Sequence, residues 1–352
     1  MNYNYYLVGG RKNSTTPMPS RGFTFDRGII AEIDINSGAV DVCYEYKSPA
    51  EACPSDEPSV LFKAAYREAD YLYTCTETEV IVFRVPDFEP VAYISLPCFN
   101  DLHFVRPTPA GTLLVVVTGL DMVMEITWNG ETIREWDVLG NPLWQRFSRD
   151  VDYRKVACTK PHLAHPNYVF YYGDELWVNR LRQRDAICLT APDRWIPIRT
   201  EENYQEAHCG SHDGIVHNGK VYFTTVNGHV VVADCESGLV QHDYNLNRGI
   251  KALGWCRGIH VIDETNVIVG FTRLRPTRHL SHLSWLNTSV DFARSSMRLP
   301  TRIAHYDLTT GQIRWEHSLE HIGLDAIFSI HPVAATTNSV VPEDMASTHE
   351  AS

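Results

Sequence analysis

The most constraining feature of the chain is a unit that recurs along almost its whole length: a short β-rich run, a tight turn and a second β-rich run. Thr76 to Phe83 leads through Pro86 and Asp87 to Pro90 to Ile94. Thr118 to Ile126 leads through Asn129 and Gly130 to Thr132 to Trp136. Thr225 to Asp234 leads through Ser237 and Gly238 to Leu239 to Asp243, and Arg302 to Asp307 through Thr310 and Gly311 to Gln312 to Trp315. Val/Ile/Tyr-rich runs bounded by Asn-Gly and Ser-Gly turns are antiparallel hairpins. Each unit is preceded by two further runs, as Gly214 to His217 and Lys220 to Phe223 precede the third. No stretch carries a long helical period with caps.

Four strands per unit, repeated every 40 to 60 residues, predict an all-β, six-bladed β-propeller of four-stranded antiparallel blades. Blades 2 to 6 are placed at about 60–97, 101–139, 165–199, 212–246 and 257–319. Blade 1 is split. Its outer strands are Tyr6 to Gly9, Gly28 to Ile35 and Ala39 to Tyr46, and its inner strand is Ala326 to Ile330, so pairing of the N- and C-terminal strands closes the ring and removes exposed edges. The domain is expected over 1–333, with a flexible tail over 334–352. Long connections at 11–26, 140–161, 200–211 and 276–300 are expected to crowd one face, as functional loops do.

On this repeat architecture, with phrases such as Trp128-Asn-Gly-Glu-Thr-Ile-Arg-Glu-Trp136, the chain resembles the six-bladed propeller superfamily, in the broad group of NHL-repeat and arylsulfotransferase-like proteins. Propellers host many chemistries, so function must be argued from the site.

Sixteen histidines are the unusual component of the composition. His103, His165 and His212 each fall at or near the start of an innermost strand, and successive blades carry these positions around one axis. A ring of neutral imidazoles is a natural divalent metal site, so these three are the expected ligands, with iron, zinc and manganese not distinguished. The arrangement resembles the carotenoid-oxygenase design and that of histidine-bearing propeller lyases, although carotenoid oxygenases have seven blades. Asp213, next to His212, is placed to orient an imidazole or act as a base. Arg257 occupies the matching position of blade 6, followed by His260; these three are the candidate catalytic groups. Arg180 and Arg182 in blade 4, and Arg273, Arg275 and His279 at the blade 6 insertion, are candidates for binding an anionic substrate. His162, His208, Asp101 and Asp121 are weaker candidates.

The expected function is a metal-dependent enzyme acting on a small polar, anionic metabolite in the top-face pocket, by lyase, isomerase, hydrolase or oxygenase chemistry. Two alternatives stand beside it. One is metal-free group transfer through a histidine nucleophile, as the arylsulfotransferase resemblance implies. The other is a non-catalytic binding scaffold. The net charge of −12 argues against nucleic-acid and anionic-membrane partners. A small-molecule substrate is the expected partner, with a homodimer left open. Nine scattered cysteines without a CxxC pair suit free thiols in a reducing cytoplasm, and the N-terminus has no signal-like segment. No Gly-x-Ser-x-Gly, Walker, GxGxxG or His-Glu-x-x-His motif is present.

Overall fold

In the computed structural model, residues 4–14, 24–56, 58–201, 210–247, 253–274 and 299–334 are described. They form six four-stranded antiparallel sheets. Blade 1 joins β1 (Asn4–Lys12), β2 (Phe25–Asp34) and β3 (Val40–Tyr46) to the last strand, β24 (Ala326–Pro332). Blade 2 holds β4 (Tyr66–Glu68) to β7 (Glu89–Ile94), and blade 3 holds β8 (Leu102–Pro107) to β11 (Thr132–Asp137). Blade 4 holds β12 (Pro166–Tyr172) to β15 (Trp195–Pro197), and blade 5 holds β16 (Ile215–His217) to β19 (Val240–Asn245). Blade 6 holds β20 (Trp255–Val261) to β23 (Gln312–Ser318). The expected architecture and its closure are what the structure has.

The sequence makes these hairpins by a repeated device. In Asp34-Ile-Asn-Ser-Gly38 the carboxylate accepts from the Asn36 amide at 2.9 Å and from the Ser37 hydroxyl at 2.9 Å. Asp234 takes the Ser237 amide at 2.8 Å, and Asp307 takes the Thr310 amide at 3.1 Å. The closing glycines, Gly38, Gly238 and Gly311, have φ of 74°, 70° and 65°, a region that L side chains disfavour.

Packing follows from blade stacking. Interior strands are covered on both faces by neighbouring blades, so Leu113–Val117 is buried at every position and alternation disappears. Strands at the circumference stay half solvated, as in Thr132–Asp137. The apolar core is therefore a ring of inter-blade layers, one of which runs from Phe104 through Trp177 to Phe223. The eight described cysteines are free thiols. Among the described residues, no helix is long and apolar enough to cross a membrane.

Closure is tight where β1 meets β24. Gly9 pairs with Ile327, and a Cβ there would sit 1.8 Å from the Ala326 carbonyl oxygen. Gly9→Ala must spread the two end strands and should lower stability by about 2–3 kcal/mol in urea melts. Wild-type stability in that variant would contradict the terminal pairing.

Of the four long connections, only 140–161 lies wholly within the described residues. It is pinned over blades 2 and 3: the Tyr153 amide donates to the Pro97 carbonyl at 2.6 Å, and the Asn100 amide nitrogen reaches the carbonyls of Tyr153 and Val156 at 2.9 and 2.6 Å.

Candidate functional site

Each blade sends one residue to the channel axis near the start of its inner strand. The set is Lys63, His103, His165, His212, Arg257 and Phe328. The rings of His103 and His165 are 5.0 Å apart, those of His103 and His212 5.9 Å, and those of His212 and Phe328 5.7 Å. Phe328 is shared by two cations, with the Arg257 guanidinium carbon 4.7 Å and the Lys63 ammonium 5.5 Å from its centroid. The three expected imidazoles are thus brought together, and the sequence reasoning missed Lys63 and Phe328.

Asp101 links the two halves of this ring. Its carboxylate lies 3.1 Å from the Lys63 ammonium, 3.6 Å from His103 Nδ1 and 3.9 Å from His162 Nδ1. Burial works against its charge, but Lys63 and then His103 outweigh burial and hold the carboxyl well below its usual range. Lys63 also pairs with Glu77 at 3.0 Å. Burial pushes Glu77 up to about 7 against the pull of that lysine. Burial depresses the imidazoles of His103, His162, His165 and His212, so all four are neutral near pH 7, the form that ligates metals.

The hydrogen bonds assign their lone pairs. His103 Nδ1 lies 2.9 Å from the Asp101 carbonyl, which can only accept, so Nδ1 carries the proton and Nε2 is free to ligate. The Thr159 hydroxyl donates to the Gly119 carbonyl at 2.6 Å and accepts from His162 Nε2 at 3.2 Å. That leaves the lone pair of His162 on Nδ1, which receives the proton of His165 Nδ1 at 2.8 Å. With the His165 proton moved to Nε2, the two Nδ1 nitrogens would have the spacing of a right-angle pair on one metal, about 3 Å for bonds of about 2.1 Å. One ligand atom each from Asp101, His162 and His165 lies within 4.8 Å of the others. His212 is 1% exposed, and neither ring nitrogen has a hydrogen-bond partner among the described residues. Its nearest acid, Asp213, is 3.7 Å from Nδ1, beyond hydrogen-bond length. A buried imidazole with both nitrogens unpaired offers a place to a water, an ion or a ligand atom.

The loop that delivers His162 and His165 is set by Asp121. One carboxylate oxygen accepts from the amides of Ala164 at 3.0 Å and His165 at 2.8 Å; the other accepts from the Leu163 amide at 2.8 Å and Arg146 at 2.6 Å. This cradle supports His165 at a φ of 55°.

The remaining sequence candidates divide by position. Asp213 is fixed by the Gly258 amide at 2.9 Å and the Thr224 hydroxyl, and its other oxygen faces His212. Arg257 is brought to the axis, where burial lowers its guanidinium to about 10 while Asp213 pulls the other way. His260 lies elsewhere, edge-on to Tyr5 at 5.2 Å. Arg180 forks onto Asp185 at 2.8 and 2.6 Å and donates to the Val138 carbonyl at 2.9 Å. Arg273 forks onto Glu320 at 2.6 and 2.5 Å. Arg182 is exposed. Arg275, His279 and His208 lie outside the described residues.

A cavity of about 220 Å³ adjoins this ring, bounded by Lys63, Glu77, Asp101 and His162 on the axial side and by Cys158 and Lys160 of the 140–161 connection.

No family model matches the chain, and no curated protein matches it. Among solved structures it is similar to a protein of unknown function from Bacteroides caccae, with a TM-score of 0.56 and 12% identity over 94% of this chain and 98% of that one. It is similar to a chain of a nidogen/laminin complex, with a TM-score of 0.54 and 7% identity over 95% and 100%. The chain is a six-bladed β-propeller. Likeness at this identity shows the fold alone. A catalytically inactive virginiamycin B lyase from Staphylococcus aureus, with quinupristin, scores 0.43 at 12% identity over 69% of this chain and 73% of that one, which is too low to carry an argument.

Proposed function

We propose that the protein is a metal-dependent enzyme acting on a small anionic molecule at the end of the channel where the axial histidines converge. The observation that carries this reading is the convergence of Asp101, His162 and His165, two imidazoles and a carboxylate from two blades and one loop. A set of two histidines and one carboxylate suits a divalent transition ion with open positions. His103 and His212 flank it with free nitrogens, as further ligands or as groups facing a bound substrate. The ion would act as a Lewis acid on a substrate oxygen. Asp101 would be shared between it and Lys63, and Arg257 supplies a second cation at the axis. Asp213 faces His212 and is the candidate base.

Protein purified without chelator or nickel should carry about one equivalent of a first-row divalent ion by elemental analysis, or bind one on titration with Mn2+, Fe2+ or Zn2+. The His162→Ala/His165→Ala double variant should carry none, and His212→Ala should bind about 10- to 100-fold more weakly. Failure of folded wild-type protein to take up any of the three ions would overturn the reading.

A further inference from the structure

The cavity beside the candidate metal centre holds one cation whose charge the described residues do not use. Lys63 is taken by Glu77 and Asp101. Arg154, also at the cavity, forks onto Asp152 at 2.9 and 2.8 Å and reaches the Ser95 carbonyl at 3.2 Å. Lys160 lies on the outer wall and is exposed, and no hydrogen bond or ion pair of its ammonium is present among the described residues. It is close enough for its charge to act on Asp101, His162 and His165.

The charges of the site then specify its ligand. Lys63 is shared by Glu77 and Asp101, and Arg257 stands near Asp213. The charge of Lys160 and that of a divalent ion are left to be met by what enters. A cavity of about 220 Å³ is smaller than the roughly 300–1,000 Å³ that drug-sized ligands fill, so the entrant is a small metabolite. With Asp101, His162 and His165 as the ligands and His103 and His212 facing the substrate, adjacent positions stay open on an octahedral ion, which favours a molecule with two neighbouring oxygens.

We propose that Lys160 pairs with the far carboxylate of the substrate, and that the site takes a small 2-hydroxy or 2-oxo dicarboxylic acid, chelated to the metal at one end and held by this lysine at the other. The proposal rests on the metal reading above. It assigns a specificity role to an exposed cavity-wall residue two positions before His162.

The test compares two probes of the same chain length on Mn2+-loaded protein by calorimetry. They are 2-hydroxyglutarate and 2-hydroxypentanoate, which has a methyl in place of the far carboxylate. Wild type should prefer the diacid by about tenfold or more, as a charge-assisted pair requires. Lys160→Ala should bring that preference close to one and Lys160→Glu should reverse it, while both bind Mn2+ no more weakly than wild type. Equal affinity of wild type for the two acids, or a preference that survives in Lys160→Ala, would sink the proposal while leaving the metal site standing. A wild type that takes up no Mn2+ overturns the metal reading, and this one with it, before any acid is added.

Discussion

Asp121→Ala should lower the unfolding free energy by about 3–5 kcal/mol, the sum of three backbone donors left without an acceptor inside the fold and a lost partner for Arg146. The carboxylate is 1% exposed, so bulk solvent does not reach the amides it holds. It holds the amides of three consecutive residues, Leu163, Ala164 and His165. Arg146 is 31% exposed and retains solvent, so Arg146→Ala should cost about 1 kcal/mol or less. Asp121→Asn is the variant to read if the alanine fails to fold. Its remaining carbonyl serves one side of the cradle while its NH2 opposes donors on the other, a loss of about 2–3 kcal/mol. In that variant the loop no longer fixes His162 and His165, and Mn2+ affinity should fall by about tenfold or more while the unfolding transition persists. Unchanged stability and unchanged metal affinity in Asp121→Asn would show that the loop is held by something else. Asp121 is a positioning residue: it touches the backbone of the ligand loop, not the ligand atoms.

That cradle marks the boundary of what the sequence discloses. The propeller is legible because its signal is local and repeated. Asp34, Asp234 and Asp307 each open the same turn, and a serine or threonine three residues on and a glycine four residues on close it. The histidines at the axis are legible because a blade's inner strand starts at a fixed place in the unit, and His103, His165 and His212 stand there. Lys63 escapes this reasoning because the inner strand of blade 2 is short, Tyr66–Glu68, and the lysine precedes it. The available signal was a lone ammonium inside the otherwise apolar run Val60 to Ala65, which can be buried only if paired. His162 looks like a solvent residue in sequence because the turn that aims it is dictated by Asp121, some forty residues earlier. The arginines of blade 4 show the opposite failure. Strand alternation put Arg180 on one face with Arg182 and Arg184, but Arg180 stands opposite Asp185 in the hairpin register, and that neighbour claims its guanidinium. Asp101 needed tertiary contacts: it reaches Lys63, His103 and His162 from the left-handed backbone position, φ 47°, at the entry to blade 3.

Acid should destabilise the protein through histidines that lie away from the axial ring. Burial, then the charges of His260 and Arg67, hold His331 down to about 3, and its Nε2 has no hydrogen-bond partner among the described residues. Burial, then His217, holds His260 down to about 4, with its ring against Tyr5. Both groups would titrate near 6.5 in the unfolded chain. Between that value and their folded values the unfolded chain binds more protons than the native one, so stability rises with pH across the window. The contribution is complete above about pH 6.5. It is lost as pH falls towards 4 and then 3, at about 1.4 kcal/mol per unit for each histidine. From pH 7.5 to pH 5 the pair should remove about 4 kcal/mol, or about 2 if water enters beside them on protonation. The axial imidazoles have the same sign of shift and add to the acid loss, so the wild-type slope alone does not isolate the pair. Urea melts of His260→Gln/His331→Gln at pH 7.5 and 5.0 do, because glutamine cannot take up the proton. The variant should start lower at pH 7.5 through imperfect packing, yet lose less on acidification than wild type by the same 2–4 kcal/mol or so. An identical acid loss in both proteins would place the acid sensitivity wholly in the axial ring. In that case metal loading, which requires unprotonated imidazoles there, should raise stability at pH 7.5 and leave the acid loss at least as steep, because the native state still binds fewer protons than the unfolded chain.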